Sequence, residues 1–191
     1  MLVQTICEVP DDLFIRSLNE ISTIDWSSID DPSRKTGVFN ASTAIHLRIH
    51  KVDPNNKPKS IREYCAIVDC ADVGSVIDQY PETYKLANWI CETVKGIRLG
   101  RIMIVRLEAG GSVGLHQDPY EYFETYSRYH VPLITNPLVV FNDEDNVEEH
   151  VAVKTLARLN NRKPHAVANN SSTYRVHVIV DVELPGGNVI F

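Results

Sequence analysis

A histidine and an aspartate two positions apart, His116 and Asp118, close a glycine-rich stretch that begins at Gly110-Gly-Ser-Val-Gly. In an extended strand residues i and i+2 project to one face, so this imidazole and carboxylate can approach one ion together. Such a pair is common by chance and gains meaning only from a third donor. Two histidines and one carboxylate suit non-haem Fe(II), because they leave coordination positions open; the same donors can hold Zn²⁺. The candidate third ligand is His165, 47 residues after Asp118, in Lys163-Pro-His-Ala-Val-Ala-Asn169. Ten residues further on, Arg175 stands in the otherwise apolar run Tyr174-Arg-Val-His-Val-Ile-Val-Asp181. Burying an unpaired guanidinium is costly. A bound dicarboxylate would supply its partner, gripped by two parallel hydrogen bonds.

The remaining polar residues have plainer readings beside functional ones. His46 and His50 share a strand face with Arg48, which suggests a solvated face before a ligand pair. His150, next to Glu148 and Glu149, reads as a surface residue, and His177, two after Arg175, as a pocket wall or a core histidine. The acidic run Asn142 to Glu149 lacks the glycine and spacing of a calcium loop and reads as a hairpin tip. The aromatic run Tyr120 to Tyr126 can overhang the metal pair or simply pack, while Arg158, Arg162 and Lys163 read as a solvated loop before a contact to an acidic substrate.

These residues must be held by elements the pattern also suggests. Asp11 and Asp12 can cap a short helix in which Leu13, Phe14, Leu18 and Ile21 recur at helical spacing. Ser42 to Val52 alternates as a strand, Arg62 to Cys70 reads as another, and Val76 to Ile97 as a helix interrupted near Pro81. From there, runs at Gly100–Leu107, Ser127–Ile134, Leu138–Asn142, Glu148–Val153 and Thr173–Val182 alternate with turn residues, the spacing of a sandwich or jelly roll. The expected organisation is one domain over 1–191, with a helical and strand preface (1–98) and a catalytic β core (99–185).

Composition bounds the function further. A length of 191 residues is enough to bury a core without staples, and 43% hydrophobic against 23% charged residues is an ordinary globular balance. A formal charge of −6 gives no electrostatic footprint for nucleic acid, and no apolar run is long enough for a membrane span. Cys7, Cys65, Cys70 and Cys91 form no C-x-x-C pair and are expected as thiols in a cytoplasmic protein. The N-x-S matches at Asn40 and Asn169 carry no meaning without a secretory route.

Taken together, His116-x-Asp118, Arg128-Tyr-His130-Val-Pro-Leu, Lys-Pro-His165-Ala-Val-Ala-Asn169 and Tyr174 to Asp181 resemble the 2-oxoglutarate- and Fe(II)-dependent oxygenases. More narrowly, they resemble the aspartyl/asparaginyl β-hydroxylase-like branch, from about Gly100 to Pro185. The resemblance implies a mainly β, α+β fold: a cupin-type double-stranded β-helix, or jelly roll, with N-terminal helices packed on the sheet. It implies that His116, Asp118 and His165 bind iron, that Arg175 pairs with the distal carboxylate of 2-oxoglutarate, and that Arg128 and His130 lie near the cosubstrate's metal-binding end. Some members of the branch have glycine where Asp118 stands, so a full triad is expected here. The implied activity is that of a dioxygenase: with O₂, it hydroxylates a C–H bond in the side group of an amino acid, peptide or protein and converts 2-oxoglutarate to succinate and CO₂. A non-catalytic binding module and another cupin-like metalloenzyme, such as a zinc hydrolase or an isomerase, are the rival readings on the same scaffold.

Overall fold

Two antiparallel sheets face each other, and helices cover the outer side of the larger one. The structure, a computed structural model, describes residues 1–35, 37–118, 121–188 and 191. The larger sheet contains β1 (Val3–Glu8), β2 (Ser42–His50), β3 (Cys70–Asp72), β4 (Arg98–Leu107), β6 (Tyr126–Ile134), β9 (Thr155–Leu159) and β11 (Arg175–Glu183), in the order β1-β9-β6-β11-β4-β2-β3. The smaller contains β5 (Ser112–His116), β7 (Val139–Asp143), β8 (Glu148–Glu149) and β10 (His165–Asn169), in the order β5-β10-β7-β8. From β4 to β11 the backbone passes back and forth between the sheets. That winding makes the fold a double-stranded β-helix, the jelly roll expected from the turn spacing.

Strand alternation divides the large sheet into two unlike faces. Outward go Ile45, Leu47, Ile102, Ile104, Tyr129, Val131, Leu133, Val176, Val178, Val180 and Val182, all buried in one apolar cluster with Leu13, Ile21, Leu86 and Ile90 of the helices. Burying a side chain of this size contributes about 1.5–3 kcal/mol, so this face anchors α1 (Asp11–Ser22) and α4 (Pro81–Thr93). Glu20 joins the two helices: its carboxylate accepts the backbone N–H groups of Glu82 and Thr83, both at 2.8 Å, capping the start of α4 from α1. The inward face is different. Arg128, His130, Arg175, His177 and Asp181 lie there, all buried, beside Ala44, Met103, Val105 and Ile179.

Several local expectations change. Arg62 to Cys70 is not a strand: Ser60 caps the short helix α2 (Ile61–Cys65) by accepting the Glu63 N–H at 3.2 Å, and β3 starts only at Cys70. The interruption expected near Pro81 is present, between α3 (Gly74–Ile77) and α4, with Pro81 in the first turn of α4, where a missing N–H costs nothing; the helix ends at Thr93, short of Ile97. Pro10, not an aspartate, holds the capping position of α1, and Asp11 and Asp12 sit in its first turn, favourable to the helix dipole. Strand β1, which sequence pattern did not suggest, pairs with β9 at the sheet edge. The boundary expected near residue 98 therefore crosses the large sheet, because β1, β2 and β3 are strands of it.

Candidate metal centre

His116 and His165 are direct cross-strand neighbours, paired between β5 and β10. A bulge makes this possible. Val167 pairs with Val113 while His165 pairs with His116, so β5 spends three steps where β10 spends two. The extra residue reverses the alternation, and both Val113 and His116 turn to the inner side while Leu115 is 55% exposed. Each ring is fixed in the same way: Nδ1–H of His116 donates to the Gly114 carbonyl and Nδ1–H of His165 to the Lys163 carbonyl, both at 2.8 Å. A carbonyl can only accept, so both rings are the tautomer that leaves Nε2 as a lone-pair donor, the arrangement metal-binding histidines need. The ring centroids stand 4.3 Å apart.

Asp118 follows just beyond β5, tied down by its own N–H, which donates to the Asn161 carbonyl at 3.0 Å. Its Oδ2 accepts from Arg128 Nη1 at 2.7 Å and from Asn161 Nδ2 at 3.1 Å. Oδ1 is left beside His116 Nε2, 3.7 Å away. Burial works to raise the Asp118 pKa, but Arg128, His165 and Arg101 outweigh it and hold the carboxyl below its usual range, ionised. One donor atom from each of His116, Asp118 and His165 lies within 4.8 Å of the others, a spacing that one ion can bridge with small side-chain rotations.

Arg128 is itself positioned by Asp181, a fully buried carboxylate. Arg128 Nε and Nη2 donate to its two oxygens at 2.8 and 3.0 Å, and Arg101 Nε and the Tyr122 hydroxyl donate to Oδ2 at 3.2 and 3.1 Å. Both carboxylate oxygens are thus engaged, and Arg128 is held between Asp181 and Asp118. Such a bidentate pair fixes orientation as well as charge.

Arg175 has the opposite situation. It is 2% exposed, and its Nε and Nη1 have no hydrogen-bond partner among the described residues. Burial, reinforced by the neighbouring charge of Arg34, pulls its pKa down to about 9. His130 and His177 share its sheet face, meet through Nδ1 at 3.4 Å and have unpartnered Nε2 atoms. Burial first, then Arg175, pushes both far below the usual histidine range, so both rings are neutral. Four unpartnered polar atoms gathered on one sheet face are what a bound acid would answer.

The triad opens on a cavity of about 990 Å³, lined by His116, Asp118 and Arg128 and, beyond them, by Arg34, His46, Arg101 and Phe123. Two histidine expectations are corrected here. His46 lines the cavity and lies 3.9 Å from Asp31, and His50 is 2% exposed, wedged edge-on between Tyr64 and Tyr122 with Nδ1–H donating to the Ile67 carbonyl at 2.7 Å. Neither lies on a solvated face, because α2, α5 (Tyr122–Thr125) and the segment around Asp31 cover that end of β2. His150 is exposed and the acidic run forms the β7–β8 hairpin, as expected. Arg158 is not a loop residue: it sits on β9 and donates to Ser127 Oγ and Asn188 Oδ1 at 3.0 and 2.9 Å. Tyr122, Phe123 and Tyr126 are buried together, while Tyr120 lies outside the described residues. Sequence reasoning gave no role to Asp181, Asn161, Arg101 or Arg34. For Asp181 the signal was present, since it shares the alternation of Arg175 and His177 along an apolar strand.

A family model of aspartyl/asparaginyl beta-hydroxylases matches residues 66–185, more than half of the protein, and spans α4, β4 to β11 and every residue of the triad. The chain belongs to the aspartyl/asparaginyl β-hydroxylase family. No curated protein matches the sequence. Among solved structures it resembles a prolyl-4-hydroxylase of Pseudomonas putida at 16% identity, covering 96% of this chain and 93% of that one with a TM-score of 0.53. It also resembles a Trichoplax adhaerens prolyl hydroxylase in complex with a hypoxia inducible factor peptide, at 12% identity, 95% and 83% coverage and a TM-score of 0.56. A viral collagen prolyl hydroxylase from Paramecium Bursaria Chlorella virus-1 matches at 11% identity, 97% of both proteins and a TM-score of 0.51. At these identities the likeness is one of fold. As a member of a hydroxylase family, this aspartyl/asparaginyl β-hydroxylase relative carries an H-x-D…H facial triad of the kind found in iron-dependent dioxygenases, and its donor set is consistent with Fe(II).

Proposed function

We propose that the protein is a 2-oxoglutarate-dependent dioxygenase that hydroxylates a C–H bond in the side group of an amino acid, free or within a peptide or protein. The observation that carries this reading is the combination of a pre-set triad with the orphaned guanidinium of Arg175 on the adjoining sheet face. In it, Nε2 of His116, Nε2 of His165 and Oδ1 of Asp118 hold the iron, and Arg175 receives the distal carboxylate of 2-oxoglutarate. Ferrous iron, with 2-oxoglutarate and O₂, supplies the oxidising power for C–H hydroxylation.

The protein's own residues do the positioning. The carbonyls of Gly114 and Lys163 keep both imidazoles in the donor tautomer. Arg128 and Asn161 draw on Asp118 Oδ2 and turn Oδ1 toward the histidines. His130 and His177, neutral and beside Arg175, offer ring nitrogens to a cosubstrate's polar atoms without adding charge. Phe39, edge-on to His116 at 5.1 Å, screens one side from water. Four free cysteines support a reducing, cytoplasmic setting as part of this reading.

The test is anaerobic. Fe(II) protein titrated with 2-oxoglutarate should develop a weak visible charge-transfer band at one equivalent of each. Aerobically it should form succinate and, with a substrate, a product heavier by one oxygen atom. Full metal loading without the band and without succinate would remove the proposal and favour a binding module or a zinc enzyme.

A further inference from the structure

The cavity's charged groups are paired off with one exception. Asp31 is committed: Oδ1 accepts from the Ser33 N–H and hydroxyl at 3.2 and 2.5 Å, and Oδ2 from the Ala44 N–H at 3.0 Å. It lies 3.6 Å from Arg34, whose Nη1 also donates to Ser42 Oγ at 2.9 Å. Asp181 answers Arg128, Asp118 faces the metal position, and Arg175 awaits the cosubstrate. Arg101 differs. Its Nε takes a share of Asp181 Oδ2 at 3.2 Å, already the partner of Arg128 and Tyr122, while its two η-nitrogens have no hydrogen-bond partner among the described residues. The side chain is only 18% exposed, and it lines the cavity together with Asp118, Arg128 and Phe123. Tyr122 and Phe123 support the guanidinium, with ring centroids 4.7 and 5.1 Å from its carbon. A planar, rigidly supported and mostly desolvated cation with a free edge is built for bidentate contact with a carboxylate.

We propose that Arg101 binds a carboxylate of the substrate, so that the molecule hydroxylated is an acid. The inference rests on the dioxygenase reading and deepens it. Once Arg175 holds the cosubstrate, Arg101 is, among the described residues, the cavity cation that has only a share of a carboxylate, Asp181, already paired with Arg128. A neutral substrate would leave its η-nitrogens desolvated and unanswered, which discriminates far more strongly than a missing methylene would. Arg101 lines the same cavity as His116 and Asp118, so an acid gripped at Arg101 lies beside the triad.

The test uses the full-length protein loaded with Fe(II) and 2-oxoglutarate, with O₂ excluded, titrated calorimetrically with amino acids, dicarboxylates and N-acetyl amino-acid amides. Each acid in the set is paired with its carboxamide. At least one acid should bind, and its carboxamide should bind about tenfold more weakly or worse. Free aspartate and glutamate against their N-acetyl amides separate an α-carboxylate from a side-chain carboxylate as the group recognised. Arg101→Gln should weaken the acid about 10- to 100-fold and bring acid and carboxamide together, whereas Arg101→Lys should keep part of the preference. Three results would overturn the proposal: equal binding of acid and carboxamide by the native protein, equal weakening of both by Arg101→Gln, or no acid bound while 2-oxoglutarate is bound. The visible band of the loaded protein reports the dioxygenase reading separately, so its absence falls on that reading and not on Arg101.

Discussion

The chemistry rests on which polar atoms the fold satisfies and which it leaves open. Arg128 and Arg175 are both arginines on the inner face of one sheet, yet Arg128 is closed by Asp181 and Asp118 while Arg175 keeps two nitrogens without a partner among the described residues. Replacing Arg175 with Ala should therefore weaken 2-oxoglutarate binding by about 10- to 100-fold or more and leave iron stoichiometry at one, read by calorimetry and metal analysis; unchanged cosubstrate affinity would assign Arg175 another role. Asp181→Asn should act differently. It strips Arg128 and Arg101 of a buried carboxylate, and breaking a pair of this kind costs about 3–5 kcal/mol, measured as a lower denaturation midpoint. Iron affinity should fall with it, because Asp118 loses the orientation Arg128 gives. That His116, Asp118 and His165 could converge and that Arg175 would stand in a buried strand was legible in sequence, because histidine, aspartate and arginine are conspicuous in a β-rich run. The bond from Arg128 to Asp118 was not, since it joins a strand to the segment beyond another strand, and only the winding between sheets brings them together.

At the scale of elements, the bulge in β5 decides whether the triad exists. Val113 and His116 are three residues apart, so in a regular strand they would face opposite sides, and the bulge is what puts both inside. Deleting Leu115 removes the extra residue and leaves His116 two positions after Val113, on the same face of a regular strand, so stoichiometric metal binding should survive; loss of binding while the far-UV circular dichroism stays β-rich would show that alternation alone does not aim His116. A second dependence runs through Gly100. A Cβ there would overlap the Tyr122 hydroxyl and meet the Tyr126 ring at 2.8 Å, and both tyrosines are fully buried. Gly100→Ala should cost about 1–3 kcal/mol of stability and disturb the hydroxyl that donates to Asp181. Periodicity announced β4, β6, β7 and β11, whose residues alternate or are broadly apolar. It misjudged Arg62 to Cys70, where a single serine cap outweighs β-like composition, and gave no hint of β1, whose place depends on an edge offered by β9.

The whole molecule keeps its helices on one side of the large sheet and its chemistry on the other, so stability and function are built on opposite faces of the same strands. Buried neutral histidines couple the two. His130 and His177 are held far below their ordinary value near 6.5 by burial and by Arg175. The folded protein therefore binds fewer protons than the unfolded one once pH falls through that value, and stability is lost downward from there, by up to about 1.4 kcal/mol per pH unit for each ring. Denaturation midpoints of the metal-free protein should fall between about pH 6.5 and 5, and His177→Asn should make the slope shallower; a flat profile would mean that the rings titrate normally. The mainly β jelly roll was readable from turn spacing and motif order, but the preface was not, because its strands join the sheet by long-range pairing that local pattern cannot express. The central claim is that one Fe(II) at His116, Asp118 and His165 and one 2-oxoglutarate at Arg175 occupy adjoining sites. Anaerobic titration of the Fe(II) protein with 2-oxoglutarate, followed in the visible, tests it most directly. The account predicts a charge-transfer band that saturates at one equivalent and is lost in His165→Ala. No band in fully metal-loaded protein, or an undiminished band in that variant, would contradict it.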